Sequence, residues 1–393
     1  MAGTVANPRL VANRLSRRSL LGGAGAVVLL GAGCGGESAS DEAPAEFVGT
    51  PPAIGQVPGE RDRWAGRTLR ISALGGRVEE VLRTTLWEPF ARHTGCAIEP
   101  LYDSFASAAT SVPDEGASVL AGATAVDLAL TDPITARAAA ARGELLAMPP
   151  DVVPDAALGR LVGASTAPAF AYALVNARRR DGFPEGTIPA SWADWWDTQG
   201  FPGGRALGRN PVGTLEVALL ADGVPPGELY PLDVPRALSA LDRVSSMIGD
   251  RWWSRGIEPV GWLGSGRAEL ATAWHHRVVA GQSDGLAVDL SWTGALLVVD
   301  QWLVPANAGE PEIAADLVRF ALTAERQAAL ARETRLGPIV PDALQWIEPW
   351  LLPTIPTAPP HRDQLVALDP VWWAGAEAGI RAEFERWFAS ATR

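Results

Sequence analysis

TLRISALGG (Thr68–Gly76), RVEEVLRTTLWEPFARHTG (Arg77–Gly95) and CAIEPLY (Cys96–Tyr102) follow one another without a break, and their reading decides the fold. Thr68 to Leu74 is a short apolar run closed by paired glycines, the pattern of a buried strand. Val78 to His93 carries apolar residues at helical spacing and stops at Thr94-Gly95. Cys96 to Tyr102 is a second strand. Val126-Asp127-Leu128-Ala129-Leu130 is a third, ending at Thr131-Asp132-Pro133, and a helix from Ile134 to Arg142 stops at Gly143. Strand–helix–strand alternation predicts an α/β fold with a mostly parallel sheet and helices on both faces. Ligands of such sheets bind beyond the carboxyl ends of the strands. Ser72 to Gly76, Tyr102 to Ser104 and Thr131-Asp132 sit at those ends.

Upstream, the first residues read as an address. Arg14, Arg17 and Arg18 form a basic region, Leu20 to Ala32 is apolar, and small residues lead into Cys34. That order is a secretory signal, too short in its apolar part to span a bilayer. Ser16-Arg17-Arg18-Ser19-Leu20-Leu21 resembles the twin-arginine export motif. Leu30-Gly31-Ala32-Gly33-Cys34 resembles a lipobox, in which Cys34 becomes the first residue and carries diacylglycerol; Gly31 stands where that motif has its leucine. Ordinary cleavage nearby, or a retained anchor, is the alternative. Residues 1–33 are thus expected to be a signal peptide. Residues 34–63, rich in Gly, Ser, Pro, Ala and Glu, form a flexible tether. Folded structure starts at Trp64, and the protein is exported and held on the outer face of the cell membrane.

Composition narrows the function. The chain has 393 residues, 47% of them hydrophobic, enough for two domains after the signal is removed. The net charge of −12 falls to −16 once the four arginines of the first 33 residues are set aside. An acidic surface of this kind argues against nucleic acid and favours a cationic ligand. If Cys34 carries lipid, Cys96 is alone; no disulfide framework is then possible, and its apolar setting reads as a buried structural thiol. His93, His275, His276 and His361 show no metal-ligand spacing, so neither metal nor cofactor is expected. Catalysis needs a nucleophile with a base, paired carboxylates or a metal. Ser265 lies in Leu263-Gly264-Ser265-Gly266-Arg267, which is not a nucleophile elbow, no lysine exists to complete a phosphate loop, and Glu79-Glu80 reads as a solvated helix face. No enzyme is expected.

Several segments, in order, resemble bacterial extracellular solute-binding proteins. They are Trp87 to Gly95; Val126 to Leu130 with Gly143 to Pro149; Pro189 to Asp197 with Phe201 to Leu207; Gly264 to Trp274; and Asp300 to Ala308 leading into a helix from Pro311 to Thr323. The spermidine/putrescine-binding branch is the nearest in pattern. The resemblance implies a two-lobed periplasmic-binding-protein-like (type II) fold with hinge strands between the lobes. Lobe 1 would hold residues 64–162 and 298–345, and lobe 2 residues 163–297 and 346–393. It also implies a monomer that captures a small, polyamine-like cation between the lobes and delivers it to an ABC permease. Another organic cation, ferric ion or a sensing role are the alternatives; only Tyr102, Tyr172 and Tyr230 could supply a ferric site.

In the polyamine branch, aromatic faces and carboxylates hold the cation, because a protonated amine seeks a carboxylate and stacks on Trp. Three positions match: Glu216 after Asn210-Pro211, Trp274 at a strand end, and Asp300 where the chain recrosses. Trp292, Thr131 and Asp132 are further candidates. Each has a second reading. Glu216 could complement a helix dipole, Trp274 could be core, Asp300 could belong to the hinge, and Asp132 before Pro133 could cap a helix. The branch's other aromatic positions are missing: Gly75-Gly76-Arg77 and Thr131-Asp132-Pro133 stand in their places.

Overall fold

The computed structural model describes residues 47–49, 59–73, 75–102, 126–152, 163–184 and 186–391. Arg17, Arg18, Cys34 and most of the expected tether lie outside them. The described residues form one compact unit.

Strand β1 (Thr68–Ala73) feeds through Gly75 into a continuous helical run: α1 (Gly76–Leu82), a π turn (Arg83–Trp87) and α2 (Glu88–Thr94). The π turn lets Val81, Leu82, Leu86, Trp87 and Phe90 all reach the core. Gly95 ends the run in the left-handed conformation that a glycine takes without strain (φ 73°). Strand β2 (Ala97–Tyr102) returns parallel to β1. Strand β3 (Ala129–Thr131) follows, with Leu128 bridging Ile71 in parallel. Helix α3 (Pro133–Ala141) is capped by Asp132, whose Oδ1 accepts from the Ile134 and Thr135 N–H groups at 2.9 and 3.0 Å.

Two long strands organise the rest. They are β4 (Thr166–Arg179) and, after an intervening α/β section, β8 (Val288–Leu303), paired antiparallel along most of their length. Between them lie α4 (Trp192–Trp196), β5 (Arg205–Gly208), α5 (Pro211–Ala221), α6 (Val234–Asp242) and α7 (Ser245–Ile248). Then come β6 (Trp252–Trp253), α8 (Glu258–Ser265), β7 (Leu270–Trp274) and α9 (His275–Ser283). After β8 come α10 (Pro311–Ala321), α11 (Ala324–Thr334), α12 (Pro359–Arg362), β9 (Val366–Ala367) and α13 (Pro370–Ala391). The larger sheet has the order β3-β8-β4-β7-β5-β6, with β9 beside β8. It is mixed rather than mostly parallel. Pairs β5–β6, β5–β7 and β8–β9 are parallel, whereas β3–β8, β4–β8 and β4–β7 are antiparallel. The difference comes from β4 and β8, which run in opposite directions through the molecule.

Two large apolar cores flank this pair of strands. One gathers Leu69, Ile71, Phe90, Leu128, Trp302, Ile313 and Phe320, with Ala167 and Phe170 from the start of β4. The other gathers Leu174, Val175, Trp195, Leu215, Leu241, Val288, Leu296 and Trp373. Tyr172 packs against both. Each fully buried large side chain contributes about 1.5–3 kcal/mol through removal from water. Trp195, Trp302 and Trp373 are the largest of these, and Trp252 and Trp253 are buried too, so most of the tryptophan doublets serve packing. Cys96 is a buried thiol that accepts from Thr94 Oγ1 at 3.3 Å. The fully buried Arg205 is satisfied by main-chain carbonyls. Its guanidinium donates to Trp195 O, Asp197 O, Phe201 O and Gly203 O, fixing the loop before β5.

Candidate functional site

Segments attached to both cores converge on a cavity of about 360 Å³. From the first core come Gly75 and Val78, at the carboxyl end of β1 and the start of α1. From the second come Gly256, Trp274, His276 and Arg277. Tyr172 and Asp300, on the two long strands, form its floor.

Asp300 and Tyr172 are joined directly: the Tyr172 hydroxyl donates to Asp300 Oδ1 at 2.9 Å. Burial, reinforced by the negative charge of Asp132, pushes the Asp300 carboxyl up to about 8; the tyrosine hydrogen bond opposes this. Asp132 is near because β3 pairs with β8, Thr131 opposite Gln301, so the next residue faces Asp300. Burial and the Asp300 charge push the Tyr172 hydroxyl well above its ordinary value. It therefore stays protonated and remains a donor.

Trp274 ends β7 and stands edge-on to Tyr172, with ring centres 5.1 Å apart at 76°. Trp253 abuts its other side at 6.0 Å. Gly256 is required here, since a Cβ would come within 2.8 Å of the indole. Helix α9 begins at the next residue, and no side chain caps that end. Its first turn distributes three roles. His275 is fully buried: Nδ1 accepts from Ala173 N at 3.0 Å, and Nε2 lies 2.9 Å from Arg335 O. Burial pushes it down to about 4, which keeps it neutral. His276 faces the cavity, likewise held neutral by burial. Arg277 also faces the cavity and makes no ion pair among the described residues.

Of the residues expected from sequence, Trp274 and Asp300 are brought together in this cavity. Glu216 does not line it. It is wholly buried, with Oε1 accepting from Tyr230 Oη (2.8 Å) and Trp373 Nε1 (2.6 Å), and Oε2 from Gly213 N (2.8 Å). Trp292 stacks on His361, ring centres 4.4 Å apart, also away from the cavity. Thr131 is buried, and Asp132 both caps α3 and acts on Asp300. Glu79 corrects the expectation of a solvated face. It is buried, accepting from Gly75 N at 2.5 Å and from the Tyr102 hydroxyl at 2.8 Å. Tyr172, named above only for a ferric site, lines the cavity too, as do His276 and Arg277, which were not anticipated. The rule that ligands sit beyond strand ends would have found the last two, immediately after Trp274. A second cavity of about 280 Å³, beside α10, is lined by Glu312 and by Arg63, Asp316 and Arg319, of which Asp316 pairs with both arginines.

The family model of bacterial extracellular solute-binding proteins matches residues 103–357. The chain belongs to that family. This solute-binding protein is 32% identical over 206 residues to the gamma-aminobutyric acid-binding protein of Pseudomonas aeruginosa; the match covers 51% of this chain and 58% of that one. Among solved structures it resembles the Atu4243–GABA receptor (27% identity, TM-score 0.73, 82% of this chain and 97% of that one). An ABC transporter substrate-binding protein from Bradyrhizobium japonicum is similar (26%, TM-score 0.73, 82% and 99%). So is AgtB of A. tumefaciens in complex with agropinic acid (25%, TM-score 0.67, 82% and 99%). These relatives are binding proteins, and the two-lobed α/β fold is theirs as well.

Proposed function

We propose that this solute-binding protein captures a small zwitterion carrying a protonated amine and a carboxylate, and hands it to an ABC importer. The observation that carries this reading is that Asp300 and Arg277 both line one cavity. An ammonium group gains a charge-assisted hydrogen bond from the ionised Asp300 and a flat aromatic wall from Trp274. A carboxylate gains the guanidinium fork of Arg277 and the positive end of α9. γ-Aminobutyrate has these two groups, and two relatives are named for binding it. A polyamine is the second reading, favoured by Asp132 beside Asp300. It leaves Arg277 facing a cation, which costs rather than contributes. Delivery implies export and a site at the membrane, in keeping with the twin-arginine and lipobox patterns around Arg17, Arg18 and Cys34. The expected lobes, residues 64–162 with 298–345 and 163–297 with 346–393, would then close on the solute as a monomer.

Titration calorimetry with γ-aminobutyrate, putrescine and spermidine tests the ligand. Saturable binding of γ-aminobutyrate, weakened by about 1.5–3 kcal/mol in Arg277→Leu, is expected for loss of a charged hydrogen bond. Diamine binding that improves in Arg277→Leu sinks the zwitterion reading in favour of the polyamine. For the anchor, Cys34→Ala should move the protein from the membrane fraction to the soluble one. Retention on membranes would rule the lipobox out.

A further inference from the structure

The cavity does not end at Arg277. A neighbouring compartment of about 310 Å³ shares Val78, His276 and Arg277 with it and continues past Arg77, Ser283 and Thr334 to Arg335. Arg335 is unusual in two respects. It occupies the left-handed region (φ 67°) at the C-terminal cap of α11, a place that glycine fills without strain. Its Nη1 atom is buried without a hydrogen-bond partner among the described residues. Of the nearby carboxylates, Glu333 accepts from Arg77 at 3.2 Å and Glu348 pairs with Arg332 through Oε1, while Glu348 Oε2 is buried without a hydrogen-bond partner among the described residues. Asp284 also lines the compartment, so its charges are mixed. A non-glycine residue in the left-handed region that lines a cleft and holds an unsatisfied donor is the kind of outlier from which a functional role is inferred.

We propose that the solute is longer than a simple ω-amino acid and bears a second carboxylate, on an arm beyond Arg277, that pairs with Arg335. This rests on the grip of Asp300 and Arg277 proposed above and extends it. A guanidinium matches a carboxylate in bidentate fashion, and the half-buried Arg335 lines the compartment that such an arm would enter. Together the two compartments give the solute class: an amino dicarboxylate, with its ammonium at Asp300, one acid at Arg277 and the other at Arg335.

The test is titration calorimetry of the purified full chain with γ-aminobutyrate and with α-amino dicarboxylates of increasing length, from glutamate to α-aminosuberate. The wild type should bind one of the longer dicarboxylates at least about tenfold more tightly than γ-aminobutyrate, a difference of about 1.4 kcal/mol. Arg335→Gly should erase that margin and leave γ-aminobutyrate affinity unchanged within about twofold. Its melting temperature should hold or rise, because glycine suits the backbone there. Arg335→Asn, which also tolerates this conformation, should repeat the loss and stands in if the glycine variant fails to fold. A wild type with no preference for any dicarboxylate, or a preference that survives both substitutions, overturns the proposal. Binding of γ-aminobutyrate without the dicarboxylates removes this inference alone. Binding of none of these solutes removes the Asp300–Arg277 reading and this one with it.

Discussion

A carboxyl group buried near a second carboxylate keeps its proton into the neutral range, and Asp300, beside Asp132, is pushed up to about 8 in this way, against the opposing hydrogen bond from Tyr172. In an unfolded chain an aspartate ionises near 3.9. Below that value both states are protonated, and the contribution of Asp300 to stability is fully present. It is lost as the pH rises towards 8, because only the unfolded state ionises. Asp300→Asn should therefore melt at a higher temperature than wild type at pH 7–8, with little difference near pH 4, while losing amine binding. An amine binds only the ionised form. Affinity should rise by up to about tenfold per pH unit between 6 and 8 and level off above. Calorimetry across that range checks it, and a flat profile would show that Asp300 is not the amine's partner. That Trp274 and Asp300 share one cavity follows from a strand end and a recrossing segment, both of which can be recognised locally. The burial of Glu216 outside that cavity was not legible, because its donors Tyr230 and Trp373 are not its neighbours in sequence and nothing near it announces them. Glu79 escaped similarly, since its partner Tyr102 lies on the next strand.

Among the elements, α5 and α13 are tied by that same Glu216 carboxylate, fully buried and reached by three donors. Burial pushes it up, and the hydrogen bonds from Tyr230, Trp373 and Gly213 hold it back. Glu216→Gln, which keeps the shape but turns an acceptor into a donor, should cost about 1–3 kcal/mol in urea unfolding. Glu216→Ala should cost more, by leaving every donor unpaired. An unchanged unfolding midpoint in the glutamine variant would show that the carboxylate is not what ties the two helices. The first strand, helix and second strand were readable because their turns and glycines are local signals. The antiparallel course of β4 against β8 was not. Both strands are buried on both faces for much of their length, so alternation disappears, and pairing between distant segments leaves no short-range mark.

For the molecule as a whole, two cores share the β4–β8 pair, and the proposed capture of a solute would draw them together about it. A solute that contacts both sides of the cleft favours the closed arrangement by its differential affinity. Small-angle scattering should show a smaller radius of gyration when solute saturates the protein. The melting temperature should rise in step, by the equivalent of about 2.7 kcal/mol at a hundredfold excess over the dissociation constant. Binding with an unchanged radius would place the solute within a cleft that is already closed.

The β4–β8 ladder changes register twice, between Pro168 and Phe170 and between Leu174 and Asn176. Tyr172 and Asp300 lie on the regular stretch between those two breaks. Mechanically this is a stiff plate held between two flexures. Bending loads from either side are taken up at the irregular ends, where ladder bonds are already disrupted, and the plate travels without warping. In the proposed closure the spacing of the tyrosine hydroxyl and the carboxylate would stay constant through a stroke, so reach and grip could be tuned as separate settings.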